Sequence, residues 1–381
     1  MDFTFFYTKE QLNGFLNSKF RSTILCPETD RIPATHCNVN NVILSPKLEN
    51  ILEEIAITKK LVDPVIERYI ESIEDKSILQ LLKYNNKTWS WREKSFLMRA
   101  CAFSLGAESS EHLLKAASAI ELMGMSFCLM DDLIDESSFY DLKQTTWAKY
   151  GYKETICASE ILISLAHKAL IDACSEAKIS GDDLKKVMQI FQSIEYDAYA
   201  SQFMDIESEK ISIFSEDRYF EMISKFPGTF YAGIVQISCL LSGVKDNRAE
   251  KLQEFGRLLG MANQIRDDLI EIIGEEDAIG KKIGADISLN KKRLPLIIFL
   301  ERHSEYKSVL LGASITDKVL NEIIYSMKTN GVVGECIIHT KQLISKAVDR
   351  IESLQQNKWM DLLKRLSLAM QDFGDKDEIF Q

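Results

Sequence analysis

Proline and glycine are scarce, with 6 and 17 in 381 residues. So few chain-breakers exclude a turn-rich β architecture and leave room for long helices. No fixed-period repeat and no low-complexity linker divides the chain, and strand-like alternation is hard to find. The eight cysteines never form a Cys-x-x-Cys pair, and the five histidines show no zinc-binding spacing. The cysteines therefore read as buried, reduced thiols of a cytoplasmic protein. Surplus basic charge is also lacking: 46 basic against 57 acidic side chains leave a formal charge of −11. That argues against nucleic acid as a partner, which would require a basic face. The opening "MDFTFFYTKEQ" has an early aspartate and no basic stretch ahead of its apolar residues, so no secretory signal is expected. One apolar run, Phe226 to Val244, has the length of a bilayer span. It contains Pro227, three glycines and several polar positions, so it reads as a buried core helix and no stable membrane insertion is expected.

What the sequence does have is helical spacing. Leu113, Leu114, Ala117, Ile120, Glu121 and Gly124 fall on one face, and similar patterns run through 159–175, 183–206, 217–243, 248–273 and 335–373. With 46 % hydrophobic residues, the expectation is an all-α protein with one large helical core. Residues 1–46 read as a partly irregular N-terminal extension, with Pro27, Pro33 and Pro46 around an Asn-rich stretch, and 47–381 as the all-α body. A polar segment, Gly274 to Arg293, separates two apolar helices. A connection of that length in a compact domain is often functional.

Chemistry concentrates in two acidic clusters. Asp131, Asp132 and Asp135 sit among Leu129, Met130, Leu133 and Ile134. Residues four apart share a helix face, about 6 Å between β-carbons, so Asp131 and Asp135 point the same way. Burying unpaired carboxylates is costly, which calls for a cation nearby. The plain alternative is a solvated acidic helix end. A second copy of the pattern weakens that alternative: Asp267, Asp268 and Glu271 repeat the i, i+1, i+4 spacing amid apolar residues. Two such clusters facing each other suit Mg²⁺, which takes a few carboxylates plus phosphate oxygens. Lys281, Lys282, Lys291, Lys292 and Arg293 follow the second cluster, and magnesium with Lys and Arg is what a diphosphate needs.

These motifs resemble those of the trans-isoprenyl diphosphate synthases (polyprenyl synthetases) and their terpene-cyclase relatives. "DDLIDE" is similar to the first aspartate-rich motif. "LGMANQIRDDLIEIIGEEDAIGKKIGADISLNKKRLP", Leu259 to Pro295, is similar to the second motif and its downstream loop, with Glu271 in place of the final aspartate. Lys281, Asp286 and Lys291 fall on the loop's own lysine, aspartate and lysine. "QFMD", Gln202 to Asp205, and Lys225 match elements between the motifs. The resemblance implies the isoprenoid synthase fold, a single helical bundle around a central active-site cavity. It also implies an allylic prenyl diphosphate substrate, a homodimer and three Mg²⁺ ions. Asp131, Asp132, Asp135, Asp267, Asp268 and Glu271 would be catalytic, with Asp131, Asp135, Asp267, Asp268 and Glu271 as metal ligands. The substrate-binding set would be Arg92, Lys94, Phe127, Gln202, Lys225, Gln264, Lys281, Lys291 and Arg293.

The chain departs from the family around the site for isopentenyl diphosphate. In "WSWREKS", Arg92 and Lys94 stand for two arginines, but Trp91 replaces a lysine. Gly124 falls where the family has histidine, and Tyr140 and Asp141 fall on two arginines. Each charge-assisted hydrogen bond is worth about 1.5–3 kcal/mol, so three losses would weaken a second diphosphate by orders of magnitude. The expectation drawn from this is a terpene synthase, a carbon–oxygen lyase. It would ionise farnesyl or geranylgeranyl diphosphate and cyclise the cation. The alternative is a prenyl diphosphate synthase, or a prenyltransferase with another acceptor. A non-catalytic partner subunit is a third reading, disfavoured because both acidic motifs keep their charge. Phe127, one turn before Asp131, is expected to face the pocket, and small Ser126 to let a long substrate pass. Phe203 and Tyr231 are further wall candidates, with core packing the plainer reading of each aromatic.

Overall fold

The computed structural model describes residues 46–88, 92–108, 110–140, 143–274, 283–311 and 315–371. The N-terminal extension before Pro46 lies outside the described residues. Helices dominate. In chain order they begin with α1 (Pro46–Glu71), α2 (Lys76–Thr88), α3 (Glu93–Ser104) and α4 (Glu111–Ile134). A two-residue-per-strand hairpin follows, β1 (Phe139–Tyr140) and β2 (Lys143–Gln144), antiparallel with Phe139 opposite Gln144. Then come α5 (Thr146–Tyr150), α6 (Tyr152–Glu176), α7 (Gly181–Glu209), α8 (Glu216–Ile223), α9 (Thr229–Leu241) and α10 (Asn247–Ile273). The rest of the chain forms α11 (Ala285–Ser288), α12 (Leu294–Arg302), α13 (Tyr306–Leu310), α14 (Asp317–Thr329), α15 (Val332–Glu352) and α16 (Lys358–Met370).

Local chemistry sets several starts. The side chains of Ser180, Ser215, Asp246 and Asn357 each accept a backbone N–H two or three residues on, opening α7, α8, α10 and α16. The continuous pattern over 217–243 is in fact two helices. They are parted by a wide turn at Ser224–Gly228, where Phe226 takes an extended backbone (φ −147°, ψ 125°) ahead of Pro227. Helical spacing persists across the break because apolar residues recur on both sides of it, Tyr219, Met222 and Ile223 before and most of Thr229–Leu241 after. The pattern over 335–373 is likewise interrupted, between Glu352 and Lys358.

At the centre, α4 is buried on nearly all sides, lying along α6 and against α1 and α3. Its one mid-helix charge, Glu121, is fully buried and accepts the backbone N–H and hydroxyl of Ser95 at 2.8 and 2.7 Å. Opposite, α10 packs on α9, on the wide turn and on α15. Gly256 and Gly260 make that approach possible. A β-carbon would stand 2.8 Å from the Tyr231 carbonyl oxygen at the first and 2.7 Å from that of Pro227 at the second. The run Phe226–Val244 contributes α9, a 13-residue buried helix rather than a span. Among the described residues one helix, α4, is long and apolar enough to cross a membrane, and 78 % of its apolar window is buried inside the protein. Of the described cysteines, Cys101, Cys174, Cys239 and Cys336 are buried free thiols, whereas Cys157 is exposed.

Candidate active site

The first acidic cluster closes α4. Asp131 and Asp132 occupy its last turn and Asp135 follows its end, the Asp135 amide bonding the Asp131 carbonyl at 2.9 Å. A helix C-terminus already carries partial negative charge, so three carboxylates there favour a cation. One is supplied from far along the chain. Lys291, fully buried, places Nζ 2.5 Å from Asp135 Oδ1 and 3.0 Å from Asp205 Oδ2 of α7. Burial and the Arg293 guanidinium oppose the charge on Lys291, but Asp205, Asp286 and Asp135 outweigh them and hold its pKa above the ordinary lysine value. Burial and the neighbouring Asp131 push Asp135 up to about 7, against the pull of Lys291.

The second cluster lies on α10, with partners on the same helix and around it. Asn263 Nδ2 donates to Asp267 at 2.8 Å, and Gln264 Nε2 to Asp268 Oδ1 at 2.9 Å. The buried hydroxyl of Tyr219, from α8, donates to Asp268 Oδ2 at 2.5 Å. Burial nevertheless raises Asp268 to about 6. Glu271 accepts the Asp286 amide at 2.5 Å, which pins the turn before α11 to α10. Arg293 joins the two sides: it bonds Asp205 at 2.9 and 3.3 Å and Asp286 at 2.7 Å, and lies 3.9 Å from Asp268.

Both clusters line one cavity of about 260 Å³. Asp131, Asp132, Asp135 and Asp205 face it from one side, and Asp267, Asp268, Glu271, Asp286 and Arg293 from the other. Part of the lining is apolar, with Phe127, Tyr199, Met222, Ile223, Phe226 and Phe230. Asn85, Thr88, Lys94, Gly124 and Thr146 also line it, Gly124 lying between Lys94 and Phe230. Lys94 lies across Gly124, where a β-carbon would meet its Cδ and Cε at 3.5 and 3.6 Å. Its ammonium bonds the buried Glu93. Burial works against that charge, but Glu93 and Glu121 prevail and keep the pKa above the ordinary lysine value.

Gln202, Gln264 and Phe127 also reach the cavity. Gln202 Nε2 is buried with no hydrogen-bond partner among the described residues. Three of the expected substrate contacts stand off the lining, the first being Lys291, sealed between Asp135 and Asp205. Arg92, at φ 66°, is buried between Asp63 (2.7 Å), Asn86 (2.5 Å) and Glu121 (3.9 Å), away from the lining. Lys225 lies 3.8 Å from Asp197, also off the lining. Lys281, Lys282, Trp91, Asp141 and the Tyr140 side chain fall outside the described residues. Ser126 does not face the cavity; it bonds Ser159 of α6 at 2.7 Å. Phe203 is 63 % exposed and Tyr231 is buried off the lining. Tyr219 and Asn263 carry no sequence signal of a role. Tyr219 meets Asp268 only through the packing of α8 on α10, and Asn263 resembles any helical amide until its partner is seen.

The donor set suits Mg²⁺: carboxylate oxygens gathered on one cavity, two of them, Asp135 and Asp268, held above the usual carboxylate range chiefly by burial. Among the described residues no three of these groups converge as a ready-made cage. Spread carboxylates leave coordination positions for water and phosphate oxygens, as Mg²⁺ prefers.

Comparison with known proteins gives concordant results. The family model described as polyprenyl synthetase matches residues 75–327. A geranylgeranyl diphosphate synthase of Methanosarcina mazei is 25 % identical over 257 residues, covering 67 % of this chain and 77 % of that protein. An octaprenyl diphosphate synthase of Haemophilus influenzae is 23 % identical over 321 residues, covering 82 % and 94 %. The fold is similar to that of a Caulobacter crescentus polyprenyl synthase complexed with calcium and isoprenyl diphosphate. The TM-score is 0.78 at 19 % identity, with 86 % of this chain and 98 % of that one covered. A geranylgeranyl pyrophosphate synthetase from Pyrococcus horikoshii gives 0.77 at 24 % identity, covering 85 % and 98 %. The isoprenoid synthase fold expected from the motifs is thus the fold observed.

The expectation of a terpene-cyclising lyase is corrected by these relatives, which are prenyl diphosphate synthases, that is, transferases. The physical slip lies in reading substitutions singly. The Gly124 position lacks a donor of its own, but the methylenes of Lys94 lie across it and Lys94 is itself on the lining, with its ammonium bonded to Glu93.

Proposed function

We propose, from the premise that this chain belongs to the polyprenyl synthetase family, that it transfers the prenyl group of an allylic diphosphate to isopentenyl diphosphate, lengthening the chain and releasing diphosphate. The observation that carries the reading is one cavity lined by both acidic clusters, a set of aromatic rings and the buried Lys94. Asp131, Asp135, Asp267, Asp268 and Glu271 would hold Mg²⁺, which when bound neutralises the leaving diphosphate. The chain's own groups do the rest. Arg293 and Lys291 fix the carboxylates of α4, α7 and α10 in one arrangement, so that little reorganisation is needed when charge separates. Gln202, with its unsatisfied amide, donates to substrate. Lys94 holds the acceptor's anionic group, and the aromatic rings keep the allylic cation dry. The same reading takes the protein as a cytoplasmic homodimer acting on small prenyl diphosphates, with no nucleic-acid partner and no membrane insertion.

The test is transfer of label from isopentenyl diphosphate. Purified protein with Mg²⁺ and an allylic primer is expected to yield longer prenyl diphosphates, EDTA to abolish the reaction and added Mg²⁺ to restore it. Asp131→Ala and Asp267→Ala are each expected to lower the rate by several orders of magnitude while circular dichroism stays that of the parent. Diphosphate release with no label transferred would refute elongation.

A further inference from the structure

Four rings from different parts of the chain stand in the apolar part of the cavity lining. Phe127 comes from α4, Tyr199 from α7, Phe226 from the wide turn and Phe230 from the first turn of α9. Phe127 stands edge-on to the other three, at centroid distances of 5.8 Å to Tyr199, 5.5 Å to Phe226 and 5.9 Å to Phe230. Phe226 stacks on Phe230 at 5.6 Å with planes 19° apart. Their exposure is unequal. Phe127 and Phe230 are buried, whereas Tyr199 and Phe226 keep accessible surface, and both line the cavity. Phe127 lines the cavity as well but is only 7 % exposed, so Phe226 and Tyr199 offer most of the ring surface to an apolar chain extending from the acidic walls.

Both exposed rings have fixed surroundings. Close to the Tyr199 hydroxyl, the buried side chains of Ser159 of α6 and Ser126 of α4 bond each other at 2.7 Å. Ser126 is thereby held toward α6 and stays off the cavity lining. Phe226 leaves the helical row because its backbone is extended, and Ser201 Oγ donates to the Met222 carbonyl at 3.0 Å and lies 3.5 Å from the Phe226 carbonyl, fastening this turn to α7.

We propose that Phe226 and Tyr199, rather than the residues just ahead of the first acidic motif, set the length of prenyl chain that the cavity holds. The inference rests on the prenyl-transfer reading, and its test is separable from that of the reading. Prenyl thiolodiphosphates, whose C–S bond resists ionisation, are titrated with Mg²⁺ into the full chain in a series growing by one five-carbon unit. The wild type is expected to lose affinity by roughly tenfold or more at one step of the series. Phe226→Ala and Tyr199→Ala should each move that step outward by at least one unit, and Phe127→Ala should leave it in place. Phe226→Leu, which keeps most of the packing, serves if the alanine variant does not fold, and should move the step in the same direction. A step that stays put in the Phe226 and Tyr199 variants, or that moves with Phe127→Ala alone, would overturn the proposal. Failure to incorporate isopentenyl diphosphate in the separate transfer assay would refute the elongation reading, and the binding series would still decide what stops the chain.

Discussion

Asp135 and Asp268 show what it costs to gather carboxylates around a cavity before any ligand enters. The ordinary value for either is 3.8; burial and Asp131 carry Asp135 to about 7, and burial carries Asp268 to about 6. Each folded-state value is raised, so the ionised form is the one the fold disfavours. The stability linked to these groups is fully present below about pH 4 and is lost as pH rises through 6 to 7. In the absence of metal, the melting temperature is therefore expected to fall between pH 5 and pH 8. Mg²⁺ should restore more of it at pH 8 than at pH 5, because protons compete for the same oxygens. Thermal unfolding of Asp135→Asn is the check: the drop should be shallower than in the parent, and an undiminished drop would place its origin elsewhere. At this scale the sequence was informative about the acids and poor about their partners. The i, i+1, i+4 spacing marks Asp131, Asp135, Asp267 and Glu271, because one helix turn brings them together. Nothing local links Asp268 to Tyr219, 49 positions away along the chain, or tells that Arg92 turns from the cavity toward Asp63.

Two helices carry the acidic motifs, and the gap between them depends on how closely α10 sits against the chain before it. Gly260 touches the Pro227 carbonyl at a distance that no side chain tolerates. Pro227 belongs to the same turn that holds Phe226, so one contact serves both the acidic wall and the aromatic lining. Gly260→Ala is expected to push α10 away and to destabilise by about 1–3 kcal/mol, the usual cost of overpacking. Turnover should fall more than the loss of folded protein accounts for, since Asp267 and Asp268 lie two turns further along. Denaturant unfolding alongside turnover separates the two effects; full activity in the folded fraction would show that the spacing is not critical. The break at Phe226 was hidden in the sequence because α9 is buried nearly all round, so its apolar residues continue the pattern of α8 without marking a change of direction. The existence of the long helices was legible from the same recurrence of apolar residues.

Over the whole molecule, large apolar side chains remain uncovered on two adjoining helices: Tyr152, Ile156 and Ile171 on α6, and Tyr196 and Phe203 on α7. Such a concentration is unusual for a surface facing water alone. The homodimer proposed above would cover it. Sedimentation of the full chain should give twice the monomer mass, and Ile171→Glu with Phe203→Glu should shift it toward the monomer with secondary structure intact. A dimer unmoved by both changes would locate the interface on another face. The all-α architecture and the two acidic walls could be read from the sequence, because periodicity and charge are properties of the chain itself. The contact of Lys94 with Gly124 could not, since it arises only from the packing of α3 on α4. The buried lysines lend themselves to one further use. Lys291 and Lys292 are nearly sealed from solvent and stand off the cavity lining. An acylating reagent added to the folded protein therefore reacts with surface amines first and reaches these two only when the bundle opens. Once exposed, each reacts as an ordinary surface lysine, so the rate at which it becomes labelled is a clock for the breathing of the molecule around its cavity.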